Sequence, residues 1–165
     1  MADNSAVSPA AEGATVEPIL ARIKAQQNFS LAVPAGIAAA IVGAALWAVV
    51  TFVTQMNFGL IAVAVGALVG LAIRNTGKGV EPKFGILGAV CAAVGWALGS
   101  ALSDVAFLAA QVDKPFLEVL AGLGIERTMS LAANAFEPMD LLFLGIAVYE
   151  GYRFSFLYRL KQRPA

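Results

Sequence analysis

The run AQQNFSLAVPAGIAAAIVGAALWAVVTFVTQMNFGLIAVAVGALVGLAI, residues 25–73, contains no charged side chain. One helix needs about 20 apolar residues to cross a bilayer, so this run is long enough for two. It is interrupted once, at Thr54-Gln55-Met56-Asn57, where a tight turn is expected between two membrane-spanning helices. The rest of the chain reads outward from this hairpin.

Composition points the same way. Hydrophobic residues make up 59% and charged residues 13%, against roughly 25% charged in ordinary soluble domains. There is no histidine and one cysteine. His-based acid–base chemistry, the commonest zinc and haem ligands and an intrachain disulfide are therefore excluded. Cys91 lies in an apolar run and reads as a small buried hydrophobe. No cofactor or metal site is expected, and no nucleic-acid partner.

Residues 1–17 are small, polar and proline-dotted, and read as a disordered tail. Their acids and lack of Lys or Arg do not fit a secretory signal. Residues 18–30 form an amphipathic interfacial segment, with Arg22 and Lys24 beside Ile19, Leu20 and Ile23. A membrane domain over 31–158 follows, with spans at about 34–52, 58–73, 84–103 and 139–158. Pro34 is placed in the first turn of the first span, where its missing N–H costs nothing. Residues 104–138 form an amphipathic outer loop of two short helices. Asp113 is its expected N-cap, Pro115 lies in the first turn, and Gly122 and Gly124 close the first helix. Residues 159–165 are a basic end. The expected fold is thus an all-α membrane protein, a four-transmembrane-helix bundle with an amphipathic outer loop.

Small residues recur along the spans. Gly36, Ala40, Gly43 and Trp47 share one face of the first; Gly59, Ala62, Gly66 and Gly70 share one side of the second. In the third, Gly85, Gly88, Ala92, Gly95 and Gly99 form a heptad stripe. Helices in lipid associate through close backbone approach, which small residues permit, so these stripes are expected to pack against other helices or a second copy. Thr76-Gly77-Lys78-Gly79 lacks the upstream glycine and downstream Ser or Thr of a phosphate loop. Gly77 there reads as a left-handed helix cap.

Basic residues set the orientation. Arg22, Lys24, Arg74, Lys78, Lys83, Arg153, Arg159, Lys161 and Arg163 fall on one side, and only Lys114 and Arg127 on the other. Six acids accompany those two: Asp104, Asp113, Glu118, Glu126, Glu137 and Asp140. Both termini are expected in the cytoplasm. Glu150 and Arg153 are the only charges well inside a span. Counted from Met139, Glu150 falls near mid-membrane, and a spacing of three allows an intramembrane ion pair; Tyr149, Tyr152 and Tyr158 favour instead a shallower span, in which Arg153 snorkels to the cytoplasmic headgroups and Glu150 neutralises it.

An internal repeat also emerges. Gly36-Ile37 precedes Trp47-Ala48 by the same interval at which Gly85-Ile86 precedes Trp96-Ala97, and six of thirteen positions agree between 36–48 and 85–97. Phe58, Ile61-Ala62-Val63, Gly66 and Arg74 align with Phe143, Ile146-Ala147-Val148, Gly151 and Arg159. A duplicated hairpin, with the outer loop inserted in its second copy, would account for both matches; the alternative is chance, since Ala- and Gly-rich helices often match one another.

Two segments carry a family resemblance. One runs from Gln55-Met56-Asn57-Phe58-Gly59 through Gly66, Gly70 and Arg74 to Gly77-Lys78-Gly79 and Phe84-Gly85-Ile86-Leu87-Gly88. The other runs from Asp140-Leu141-Leu142-Phe143 to Tyr149-Glu150-Gly151-Tyr152-Arg153. Over about 35–155 the chain resembles small bacterial four-helix inner-membrane proteins of unassigned function, with a glycine-rich hairpin followed by a GKG loop. The resemblance implies a multi-pass place in the bacterial cytoplasmic membrane and no particular activity.

Function divides into three classes. The absence of catalytic constellations argues against an enzyme. A non-catalytic accessory or scaffolding protein is expected, embedded in the lipid bilayer, packing through its small-residue faces and presenting the outer loop and tail to a homo-oligomer or larger membrane complex. The alternative is a subunit of a small transporter or channel using Glu150 as a proton or cation site.

Overall fold

The computed structural model describes residues 21–54 and 60–157. The expected tail, residues 18–20 of the interfacial segment, the turn at 55–57 with Gly59, and the basic end lie outside the described residues. The described chain contains α1, described over residues 21–25, then α2 (Phe29–Thr54), α3 (Leu60–Gly77), α4 (Pro82–Gln111), α5 (Phe116–Ala135) and α6 (Pro138–Phe154). No strand occurs among the described residues.

Among the described residues three helices, α2, α3 and α4, are long and apolar enough to cross a membrane, not four. The expected fourth span is α6. Its 17 residues extend about 25 Å at 1.5 Å per residue, short of a ~30 Å hydrocarbon core. Three charged residues, Asp140, Glu150 and Arg153, lie within it.

Helix ends account for the other shifts in boundary. Helix α2 starts five residues before Pro34, because Asn28 caps it: its Oδ1 accepts from the Leu31 N–H at 3.1 Å. Pro34 is thus inside the helix, where the Ser30 carbonyl loses its usual i+4 donor. Helix α4 starts at Pro82 and passes Asp104 to end at Gln111, eight residues beyond the expected span. Val105, Ala106 and Ala109 are fully buried there, so packing carries the helix past one acid.

Two turn readings are corrected. Gly77 is not left-handed; Lys78 is, at φ 47°. A Cβ on Gly77 would stand 2.7 Å from Phe84 Cε1 and 2.8 Å from Ala32 Cβ, so close approach is what requires glycine. Asp113 does not cap α5; it takes φ 51° in the α4–α5 turn, and Pro115 occupies the N-cap position. Helix α5 breaks at Gly124, whose φ 67° and ψ 175° lie in a region essentially reserved for glycine.

Helix α4 is the hub, touching α2, α3, α5 and α6. Helix α3 also packs on α2 and α6, whereas the backbones of α2 and α6 do not approach one another among the described residues. Alanines fill much of the core, with Ala32, Ala40, Ala44, Ala62, Ala92 and Ala147 buried beside Trp47, Val65, Val69, Ile73, Phe84 and Trp96. Larger ones, including Leu31, Ile41, Leu46, Val49 and Val53 of α2 and Ile86, Val90 and Val94 of α4, are exposed. A water-soluble bundle distributes size the other way. A surface this rich in large apolar groups, over a core in which alanine and glycine are frequent, suits a protein whose solvent is lipid.

Candidate functional site

The small-residue stripes meet one another. A Cβ on Gly66 would stand 2.5 Å from the Ala147 carbonyl oxygen, and one on Gly70 would stand 2.6 Å from Phe154 Cβ. Gly85 faces Tyr152 and Phe156, Gly88 faces Gly151 and Ser155, Gly95 faces Ala40 and Val65, and Gly99 faces Trp47. Ala92 lies against Gly151, and Ala62 is fully buried. Each of these faces is occupied by another helix of the same chain. Thr51 and Ser103, both fully buried, add a hydroxyl–hydroxyl hydrogen bond of 3.1 Å across the α2–α4 seam.

Glu150 and Arg153 do not form the expected ion pair. Arg153 is exposed, its guanidinium carbon 6.0 Å from the ring centroids of both Tyr149 and Phe154. Glu150 is half-buried, and its Oε2 is buried without a partner among the described residues. The neighbouring Gly151 meets Gly88, the seventh residue of α4, and Gly70, seven residues before the end of α3. Glu150 is therefore about two turns from the bundle end formed by 77–82, not midway along the long helices. Arg153 lies nearly a turn closer to that end and takes the exposed aromatic surface.

That end is sealed by backbone and ring contacts. The Asn28 N–H donates to the Gly77 carbonyl at 2.9 Å, and the Leu157 N–H to the Gly79 carbonyl at 2.9 Å. Phe29 and Phe84 pack edge-on at 5.4 Å, with the Lys83 ammonium 5.8 and 5.6 Å from their centroids. Lys83 also bonds Glu81 at 2.6 Å, which holds that carboxyl below its ordinary pKa.

The opposite end, where α5 lies, is open. A cavity of about 580 Å³ lies between α2, α4, α5 and α6, within the range of small-molecule pockets. Trp96, Ala97, Ser100, Ala101 and Asp104 form its α4 wall, one helical face about 12 Å long. Trp47 and Trp96 also belong to the core cluster with Ala62, Val65 and Ala147, so the indoles are the cavity floor. Phe136 meets Trp96 edge-on at 6.4 Å. Glu137, Asp140 and Asp104 supply three carboxyl groups, and no Lys or Arg lines the cavity.

Local structure fixes two of those acids. Glu137 is the N-cap of α6 and Asp140 its third residue. The Glu137 N–H donates to Asp140 Oδ2 at 2.8 Å, and the Glu137 side chain accepts from the Asp140 N–H in return. Asp104 makes no hydrogen bond or ion pair with a described residue. Both indole Nε1 groups are buried and lack an acceptor among the described residues. Orphaned buried donors are rare and costly, and these two lie in the packed layer with Ala62, Val65 and Ala147. Among the described residues, no cluster of three acidic or thiol side chains converges to hold a metal ion.

No family model, curated protein or solved structure matches the chain.

The sequence reading placed Trp47 in a packing stripe and used Trp96 only for the repeat. The signal that both belong to a site was present. They occupy the same position of the two repeat copies, on the side of the membrane assigned six acids and two bases.

Proposed function

We propose that this chain is a non-catalytic accessory or scaffolding protein of the bacterial cytoplasmic membrane, with both termini in the cytoplasm. Helix α6 acts as a short fourth crossing, sheltered by α3 and α4, which returns the chain to its starting side. Supporting this, Ala147 and Gly151 of α6 are buried against those two helices at backbone contact. The observation that carries the accessory reading is the closed packing of the bundle: its small-residue faces are taken up within one chain, and the cavity at the α5 end has a floor of two indoles. Such a body presents surfaces and a blind recess rather than a conduit. The small-residue stripes being occupied, a complex would form through the lipid-facing sides or through α5, where Leu117 and Ile125 are 74% and 83% exposed.

The test is extraction in polymer-bounded native nanodiscs, followed by reciprocal tagging of any co-purifying protein. A partner present at constant stoichiometry in both directions is expected. A species containing one 17.0 kDa chain and no protein partner overturns the reading.

The transporter or channel alternative is favoured by one observation, the unpartnered buried Oε2 of Glu150. It predicts that Glu150→Gln abolishes proton- or cation-coupled flux in proteoliposomes while the protein stays folded. Absence of any flux above protein-free vesicles removes it.

A further inference from the structure

We propose that Arg74 and Arg153 form a seat for the phosphate of an acidic phospholipid, in the groove between α3 and α6 on the side away from α4. The inference rests on the reading of α6 as a crossing that ends with α3 at one membrane face, and it names a lipid partner for that face.

Helix register brings the two arginines to one groove. Gly66 meets Ala147, and Gly70 meets Gly151 and Phe154, so α3 and α6 run parallel with these residues in contact. Gly88 of α4 meets Gly151 and Ser155, which places α4 on the 151/155 side of α6. Glu150 and Arg153, three residues apart, form the neighbouring stripe on the other side. On α3, Val65 and Ile73 turn toward α2 and α4. Arg74, four residues after Gly70, lies on the opposite flank of the α3–α6 contact. Arg153 is level with Gly70, and Arg74 is one turn farther along, about 6 Å. Helices packed at a separation of about 8 Å let two side chains of this length converge on one anion.

Neither arginine has an acid partner among the described residues. Arg153 is exposed and lies against the rings of Tyr149 and Phe154 instead of Glu150. Arg74 is half-buried, where an unpaired charge is costly. Glu81, at the same end of the bundle, is taken by Lys83. Glu150 lies nearly a turn deeper than Arg153 and subtracts one charge, so the groove keeps a positive excess. A guanidinium matches phosphate with a planar fork, which a lysine ammonium does not.

The surroundings select a lipid over a soluble anion. Leu71, three residues before Arg74, is exposed, as are Leu142 and Tyr149 of α6. The groove therefore opens sideways on hydrocarbon, with tyrosine at the depth of the headgroups, and an anion reaching it arrives with acyl chains. An ammonium on the headgroup would extend toward water, away from Glu150, and meet only the arginines. The chemistry that fits is a phosphodiester without a compensating amine.

The full chain in detergent micelles is offered phosphatidylglycerol and phosphatidylethanolamine in equal amounts, and bound lipid is read by native mass spectrometry. Phosphatidylglycerol should be retained in preference. Arg74→Gln and Arg153→Gln should each lower its retention about fivefold, the effect of one basic residue at an anionic surface. Arg153→Lys, which keeps the charge and loses the fork, should fall between parent and Arg153→Gln. Glu150→Gln should raise retention, which a purely structural role for these residues would not produce. Lys83→Gln removes the same charge at the same end of the bundle, but beside Phe29 of α2, and should leave retention unchanged. The proposal is overturned if the two lipids are retained equally, if folded Arg74→Gln and Arg153→Gln variants retain lipid like the parent, or if Lys83→Gln matches them. The placement of α6 is checked separately by reporter fusions at residue 165 and near Ala121. Opposite compartments without a lipid preference overturn the seat alone; one compartment for both overturns the crossing and the seat with it.

Discussion

Gly151→Ala tests whether α4 and α6 touch backbone to backbone. A Cβ at residue 151 would stand 2.6 Å from both Ala92 Cβ and the Gly88 carbonyl oxygen. Ordinary contact begins near 3.4 Å, so the helices must separate locally by about 0.8 Å, and neither obstacle is the end of a flexible side chain. Overpacking of this kind costs about 1–3 kcal/mol. Alanine is also a better helix former than glycine by about 0.8–1.0 kcal/mol, which opposes the effect and could mask it. Gly145→Ala in the same helix removes that ambiguity. Gly145 is exposed, with nothing within 4 Å of an added Cβ, so it reports the propensity gain alone. The difference between the two variants is then the packing cost, about 1–3 kcal/mol. Reversible unfolding in bicelles should place Gly151→Ala below Gly145→Ala by roughly 2–12 °C, at about 2–4 °C per kcal/mol for a chain of this size. Equal stability of the two variants would refute the close α4–α6 contact and the arrangement of α6 with it.

The remaining expectations concern other parts of the molecule. Thr51→Val strands the Ser103 hydroxyl in the α2–α4 seam and should cost about 1–3 kcal/mol in the same unfolding assay, and adding Ser103→Ala should recover much of that loss. Gly124→Ala strains the α5 break by about 1–3 kcal/mol and should lower amide protection across 116–135, whereas Gly122→Ala, in open space, should not. Reporter fusions at residue 165 and near Ala121 should read opposite compartments; the same compartment for both would mean that α6 does not cross. Glu150→Gln and Arg153→Gln should be additive in stability, because the two side chains do not pair; a double variant that recovers stability would show that they do.

Much of the helical architecture was legible because lipid imposes a coarse rule. Long uncharged runs become helices, and small residues at spacings of three and four mark the faces where backbones approach, as at Gly66 on Ala147 and Gly88 on Gly151. Charge was the less reliable guide. Asp104 looked like the end of a span, but one acid facing a cavity does not stop a helix whose next turn is buried. Glu150 and Arg153 had the right spacing to pair, yet spacing fixes only a shared helical face. What each side chain then does depends on depth, and the depth of α6 follows from the register of Gly151 against α3 and α4, which no local pattern encodes.

The cavity was illegible for a related reason: it is made by what four elements leave unfilled. Its physical origin can still be traced to the repeated Gly-Ile…Trp-Ala pattern of 36–48 and 85–97. Helices α2 and α4 run parallel, with Gly36 against Cys91, Ala40 against Gly95 and Trp47 against Gly99. The glycines that begin each copy, Gly36 and Gly85, let neighbouring chains come close toward the 77–82 end. The tryptophans eleven residues later fill the α2–α4 seam with two indoles, and Gly99 accepts the six-membered ring of one of them. Above that layer the backbones of α2 and α6 stay apart among the described residues, and α6 begins with acids held in its own capping box. A structural repeat that only needed to pack would place small residues at both ends. Indoles at the second end occupy volume on one side, leave space on the other, and bring two buried hydrogen-bond donors that have no acceptor among the described residues.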